Sequence, residues 1–318
     1  MEKRLANSLK LVGGPYSNQE CEWLEIETEF RDYVLVSKLY MLAQKEEAFY
    51  QNFNSNVDEG ELHFQIVMSG QSPVDCILKY SQIEDELSAE GISGIAIYSG
   101  EKIIKFVGQK DNEEVVPVYW TPEQLLQKID DLPVQLSSEI PDEYYTYDLY
   151  YVGISHKGDS FSRLFDQGHK ARSRILGNEH PKRTGARITD ELFIFLFTFE
   201  NMQIASVGPE GDIDAFADLV ASPKMVPDSQ LAKDCEKAFI KVLDTKYNRV
   251  KYKDYPKSED GIDWTKFVFG SYGIKERISF NVPGETFNCR KIDVHGHVWP
   301  KGDIIAIENE SVILVKRD

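Results

Sequence analysis

Five tyrosines stand within eight residues in the stretch YYTYDLYY, Tyr144 to Tyr151, and Arg163 and Glu236 follow in strongly basic surroundings. Buried phenols must find hydrogen-bond partners, and a group of them can hold a water or a phosphate oxygen. Arg163 falls one turn into the next helix. A helix start already favours an anion there, and the planar fork of donors adds to that field. Glu236 lies in line with Ala232, Phe239, Ile240 and Leu243, beside the packed stripe of a later helix. A carboxylate so placed either snorkels outward or needs an arginine, a hydrogen-bond network or a metal to compensate it. From Ser155 to Arg187 eight Lys or Arg face three Asp or Glu, and from Lys237 to Lys257 seven face two, in a chain of net charge -17. Basic stretches on both sides of these residues point to an anionic ligand in an otherwise acidic molecule.

The elements that must position these groups follow from periodicity. In EYYTYDLYYVGIS, alternation puts Tyr145, Tyr147, Leu149 and Tyr151 on one face of a strand and Tyr144, Tyr150 and Val152 on the other. Gly153 marks a close approach of the backbone or a bend. The run from Phe161 to Leu176 places Phe161, Leu164, Phe165, Gly168 and Ile175 on one helical stripe, with Arg163, Lys170 and Arg174 opposite. LFIFLFTF, residues 192–199, has one polar member and no alternation, which predicts a central strand covered on both faces. Asp228 reads as the N-cap of a helix whose inward stripe is Leu231, Cys235, Phe239 and Val242.

Around this centre, 318 residues with 42% hydrophobic content predict several packed units. The pattern predicts an α+β fold in three consecutive parts. Residues 1–138 form an N-terminal α+β domain, with strands in ELHFQIVMSG, GISGIAIYSG and EKIIKFVG and a helix from Pro122, capped by Thr121 and stopped by Pro133. Residues 139–260 form a small central sheet-and-helix domain, and 261–318 a C-terminal unit rich in β-hairpins. The four cysteines are far apart and form no CxxC pair, so neither structural zinc nor a disulfide framework is expected. No apolar run reaches the length of a signal peptide or a bilayer span, which predicts a cytoplasmic protein without membrane association. His295 and His297 share a strand face but lack a third ligand nearby. Walker, Rossmann and Gly-x-Ser-x-Gly spacings are missing.

YVGIS (151–155), SRLFDQGH (162–169) and CEKAFIKVLDTKYN (235–248) resemble, in order and approximate spacing, the motifs of the GIY-YIG nuclease superfamily. These are a strand ending in Tyr-x-Gly, a helix bearing an arginine, and a glutamate helix closed by Tyr-Asn. The resemblance covers residues 144–256, a little over a third of the chain. It implies a GIY-YIG-like central domain in which Tyr151 holds or helps deprotonate a water nucleophile. Tyr147 or Tyr145 would replace the first motif tyrosine, since no Gly-Ile-Tyr triplet precedes Tyr151. Arg163 would stabilise charge on the phosphate, and Glu236 would ligate one Mg²⁺ or Mn²⁺. His169 would serve as an acid/base or supporting residue, and Lys170, Arg174, Asn248 and Lys251 would contact substrate. The implied function is a metal-dependent endonuclease cutting DNA, or RNA, with restriction or phage defence as its setting. The rival expectation is a catalytically inactive module of the same fold that binds nucleic acid or protein. The acidic flanking parts would then serve as homodimer or partner contacts.

Overall fold

The computed structural model describes residues 2–155, 159–166, 168–206, 225–257, 260–290 and 302–317. The fold is α+β, with one large mixed sheet and two smaller ones. The chain forms two compact units. It starts in the larger with β1 (Glu2–Leu11), β2 (Tyr16–Ser17), α1 (Asn18–Leu24), α2 (Thr28–Val34) and β3 (Leu39–Gln44). Residues 46–146 then build the smaller unit, which also takes in 181–187. It contains β4 (Phe49–Asn56), β5 (Glu61–Val67), β6 (Val74–Lys79), α3 (Tyr80–Ala89), β7 (Ser93–Gly100), β8 (Ile103–Lys110), β9 (Glu113–Trp120), α4 (Pro122–Lys128) and β10 (Val134–Leu136). Its two sheets run β10-β6-β5-β4 and β7-β8-β9. Thr121 and Gln124 form the expected capping box at the start of α4, each side chain satisfying the other's backbone N–H.

The chain re-enters the larger unit through β11 (Thr146–Ile154), which pairs antiparallel with β3. There follow α5 (Ser160–Leu164), α6 (Lys170–Asn178), α7 (Ile188–Glu191), β12 (Leu192–Ser206), α8 (Asp228–Leu243), β13 (Phe269–Ile274), β14 (Ser279–Val282), β15 (Glu285–Asn288), β16 (Ile304–Glu308) and β17 (Ser311–Val315). The large sheet runs β15-β14-β11-β3-β12-β1-β13-β16-β17. β12 is the doubly covered strand that its sequence predicts. Leu192, Ile194 and Leu196 join Tyr40, Leu42, Phe161 and Leu164 in one core, while Phe193, Phe195 and Phe197 join Met41, Val152 and the apolar face of α8 in the other. α8 therefore packs on one face of the sheet, and α5 and α6 on the opposite face.

The partition differs from the expected three segments at 1–138, 139–260 and 261–318. β1 pairs antiparallel with β12 and parallel with β13, and β3 lies between β11 and β12. The first 45 residues and the C-terminal strands thus complete the central sheet and form no units of their own. Local pattern carries no signal for pairings this distant in sequence. The single helix expected over 161–176 is two helices, α5 and α6, with Gly168 between them at φ +66°. His295 and His297 lie outside the described residues.

Candidate active site

β11 does not keep its simple alternation. Its register against β3 shifts between Leu149 and Tyr151, a β-bulge that places one extra residue on this strand. Tyr147, Leu149, Val152 and Ile154 point into the α8-side core, whereas Tyr150 and Tyr151 pack against the opposite one. Tyr147 and Tyr151 therefore part company. Tyr147 is buried edge-on against Phe193 and Phe195, away from the other candidate residues. Tyr145 belongs to the smaller unit's core.

The ring beside Tyr151 is Tyr40, which no sequence motif singles out. The two rings stack with centroids 6.0 Å apart, and Tyr40 stands opposite Gly153 in the β3–β11 register. Tyr40 Oη lies 2.9 Å from His169 Nε2, and both residues are almost wholly buried. His169 Nδ1 accepts the backbone N–H of Arg172 at 3.0 Å and so caps α6. Burial first, and then the charges of Arg163 and Arg172, lower the imidazole pKa to about 4. The ring is thus neutral at pH 7 with its proton on Nε2, and donates to Tyr40 Oη. Tyr40 can then donate to Tyr151. Burial raises the Tyr151 pKa, as does the nearby Glu236 charge, while the hydrogen bond from Tyr40 and the charge of Arg163 oppose the shift.

Tyr151, Arg163, His169, Lys170, Arg174, Glu236 and Asn248 all line one cavity of about 520 Å³. Arg249 also lines it, so four cationic side chains face a single carboxylate. Arg163 is held by α5, whose N-cap Asp159 accepts from the backbone and hydroxyl of Ser162 at 2.9 and 2.7 Å. Arg31 of α2 forks onto Asp166 at 2.9 and 2.6 Å and reaches Ser162 at 2.9 Å, which ties α5 down at its other end. Arg163 itself enters no ion pair among the described residues, so its charge is available to the cavity.

Glu236 reaches the cavity from α8 on the far face of the sheet, at the end of β11, where the Ile154 backbone N–H donates to its carboxylate. Burial lifts its pKa to about 7. Lys237 opposes that rise, Asp260 adds to it, and the Ile154 hydrogen bond opposes it. Two residues earlier, the fully buried Asp234 accepts from Tyr255 Oη at 2.6 Å, Tyr272 Oη at 2.8 Å, Ile262 N at 2.9 Å and the Trp264 indole at 3.2 Å. This carboxylate anchors α8 to β13 and to the segment that follows the helix. A buried acid in an apolar stripe was the signal for it, and sequence reading fixed on Glu236 alone.

Asn248 is a clamp. Its Oδ1 accepts from Val152 N at 2.9 Å and its Nδ2 donates to Val152 O at 2.7 Å, so the amide acts as an extra strand residue alongside β11. Thr245 Oγ1 donates to the same Oδ1 at 2.7 Å. Its polar atoms are thus committed to placing β11. Lys251 Nζ bonds Thr245 O at 2.7 Å and Asp244 at 2.8 Å, and lines a second cavity beyond Glu236.

No cluster of three or more His, Cys, Asp or Glu able to enclose a metal occurs among the described residues. Among the described residues Glu236 is the one carboxylate lining the first cavity, and a carboxylate oxygen is the kind of donor a hard cation takes. Compared with protein-family models, with curated proteins and with solved structures, the chain matches none.

Proposed function

We propose that the protein is a metal-dependent endonuclease that hydrolyses phosphodiester bonds in DNA, with a catalytic constellation of GIY-YIG type. The supporting observation is convergence. Tyr151, Arg163, His169 and Glu236, three of them on different elements and the fourth capping another, border one cationic cavity, with Tyr40 beside Tyr151. In this reading Tyr40 stands for the first motif tyrosine. Residues 46–146 then lie between the two motif strands, which is why no candidate for it reads convincingly near Tyr151.

The neutral His169 donates to Tyr40 and Tyr40 to Tyr151, so the Tyr151 oxygen is oriented by donors from behind and meets a water in the cavity. Arg163 places a permanent charge where the phosphate gains negative charge on the way to the pentacovalent state. Glu236 would hold the single Mg²⁺ or Mn²⁺, which when bound adds positive charge at the phosphate and acidifies its own waters. Asn248 and Asp234 keep the two faces of the site in register.

The test is cleavage of supercoiled plasmid with Mg²⁺ or Mn²⁺ by the wild type, Glu236→Ala and Arg163→Ala. Loss of about a hundredfold or more in each variant is expected, the scale of a removed transition-state contact. Cleavage that persists in both sinks the assignment. One observation favours a second reading, a silent nucleic-acid-binding module. With its pKa at about 7, Glu236 keeps its proton in a large share of molecules near neutral pH, which weakens it as a cation ligand. A wild type that shifts DNA in a gel without cutting it under any divalent cation supports that module.

A further inference from the structure

Beyond Glu236 lies a second, larger cavity of about 930 Å³, which shares Glu236, Arg249, Val250 and Tyr252 with the first. Its walls carry six Lys or Arg against three carboxylates. Two of the carboxylates are already engaged: Lys237 pairs with Asp260, and Glu236 belongs to the site described above. Arg249 and Lys253 enter no ion pair among the described residues, and both are exposed. The segment that carries them is fixed. Lys241 Nζ bonds the Lys253 carbonyl at 2.6 Å, and Tyr252 sits at φ +43° with Lys237 Nζ 5.8 Å over its ring. A non-glycine residue in the left-handed region is held there only by its surroundings. Solvated lysines on a flexible loop would need no such scaffold.

Building on the proposed nuclease reading, we propose that this second cavity is a channel for the phosphodiester backbone flanking the bond to be cut. Arg249 sits at the junction and Lys253 further along. The substrate is then a continuous nucleic-acid strand that passes Glu236 on both sides, and the site acts within chains. A small phosphate ester would fill only the cavity of Tyr151 and Arg163 and leave Lys253 idle.

The test combines binding and turnover in the full-length protein. Anisotropy of a labelled DNA duplex in EDTA, titrated over salt, reads contacts without cleavage. The Arg249→Ala/Lys253→Ala double variant is expected to weaken binding about tenfold and to reduce the log–log salt slope by about 2, roughly one per lost phosphate contact. Lys110→Ala, an exposed lysine in the smaller unit, is expected to leave the slope unchanged. In turnover, Lys253→Ala alone, whose lysine lines only the second cavity, is expected to lose kcat/KM on plasmid while hydrolysing bis(p-nitrophenyl) phosphate as the wild type does. An unchanged salt slope, an equal slope change in Lys110→Ala, or equal loss on both substrates overturns the channel. A wild type that cuts neither substrate but shows the expected slope change overturns the nuclease reading and leaves the channel standing. A wild type that does not bind the duplex overturns the channel.

Discussion

Gly153 has no side chain because two phenols occupy the space one would need. A Cβ there would fall 2.6 Å from the Tyr151 ring and 2.7 Å from the Tyr40 hydroxyl and ring. Gly153→Ala is therefore expected to push both rings off their stack and abolish cleavage while the sheet persists. Unchanged activity with a native circular dichroism spectrum would count against the tyrosine pair. Glu236 gives a second test at this scale. Its folded pKa, near 7, lies above the unfolded value near 4.3, so the folded state holds the extra proton between them. Stability from this group is fully present below pH 4 and is lost as pH rises to about 7. Glu236→Gln is expected to gain on the wild type across that window, by on the order of 1–3 kcal/mol at pH 8 and near zero at pH 4, in urea melts. Cleavage by the wild type should instead rise with pH through the same inflection, since only the carboxylate takes a cation.

Between the elements, the site depends on small devices that bring strand, helices and turn together. The bulge in β11 lets one strand feed both cores, and the Asn248 amide pairs with its backbone at Val152. Asn248→Ala leaves the Val152 N–H and carbonyl without that partner, at a cost of about 2 kcal/mol or more. The expected result is a lower urea midpoint together with a loss of kcat larger than the loss of binding. A variant as stable as the wild type would remove Asn248 from this role. These devices also mark how far the sequence could be read. LFIFLFTF gave its own burial because a doubly covered strand is apolar throughout, and the α8 stripe with its odd carboxylate was readable by period alone. The face of Tyr151 was not, because one extra residue in a strand inverts every later side chain and leaves no compositional trace. Tyr147, offered in place of the missing first motif tyrosine, shares a face with Tyr151 only while the alternation is unbroken. Tyr40 was unreadable for another reason: it sits in the plain apolar run LYMLA, and its partner lies across a hundred intervening residues.

For the molecule as a whole, the smaller unit is an insertion between two hydrogen-bonded neighbours, β3 and β11. Gln44 stands opposite Asp148, so a short turn can join their ends. Residues 46–146 also hold twenty Asp or Glu against five Lys or Arg, so most of the chain's net negative charge resides there. A variant with that segment replaced by a tight turn is expected to keep the large sheet and to bind DNA more tightly at low salt, as the net charge falls. Weaker binding by a folded variant would show that the insertion contributes contacts of its own. The three-part division expected from sequence failed here because β1 hides its destination: nothing in EKRLANSLKL says that it will lie between β12 and β13. That placement governs how the protein can be made. On the ribosome β1 emerges well before either neighbour, since β12 begins at Leu192 and β13 at Phe269, so at 5–20 residues per second it waits on the order of tens of seconds for a partner. The inserted unit, contiguous apart from 181–187, can close before that, leaving the large sheet to assemble around a strand that has stood exposed until its neighbours are made.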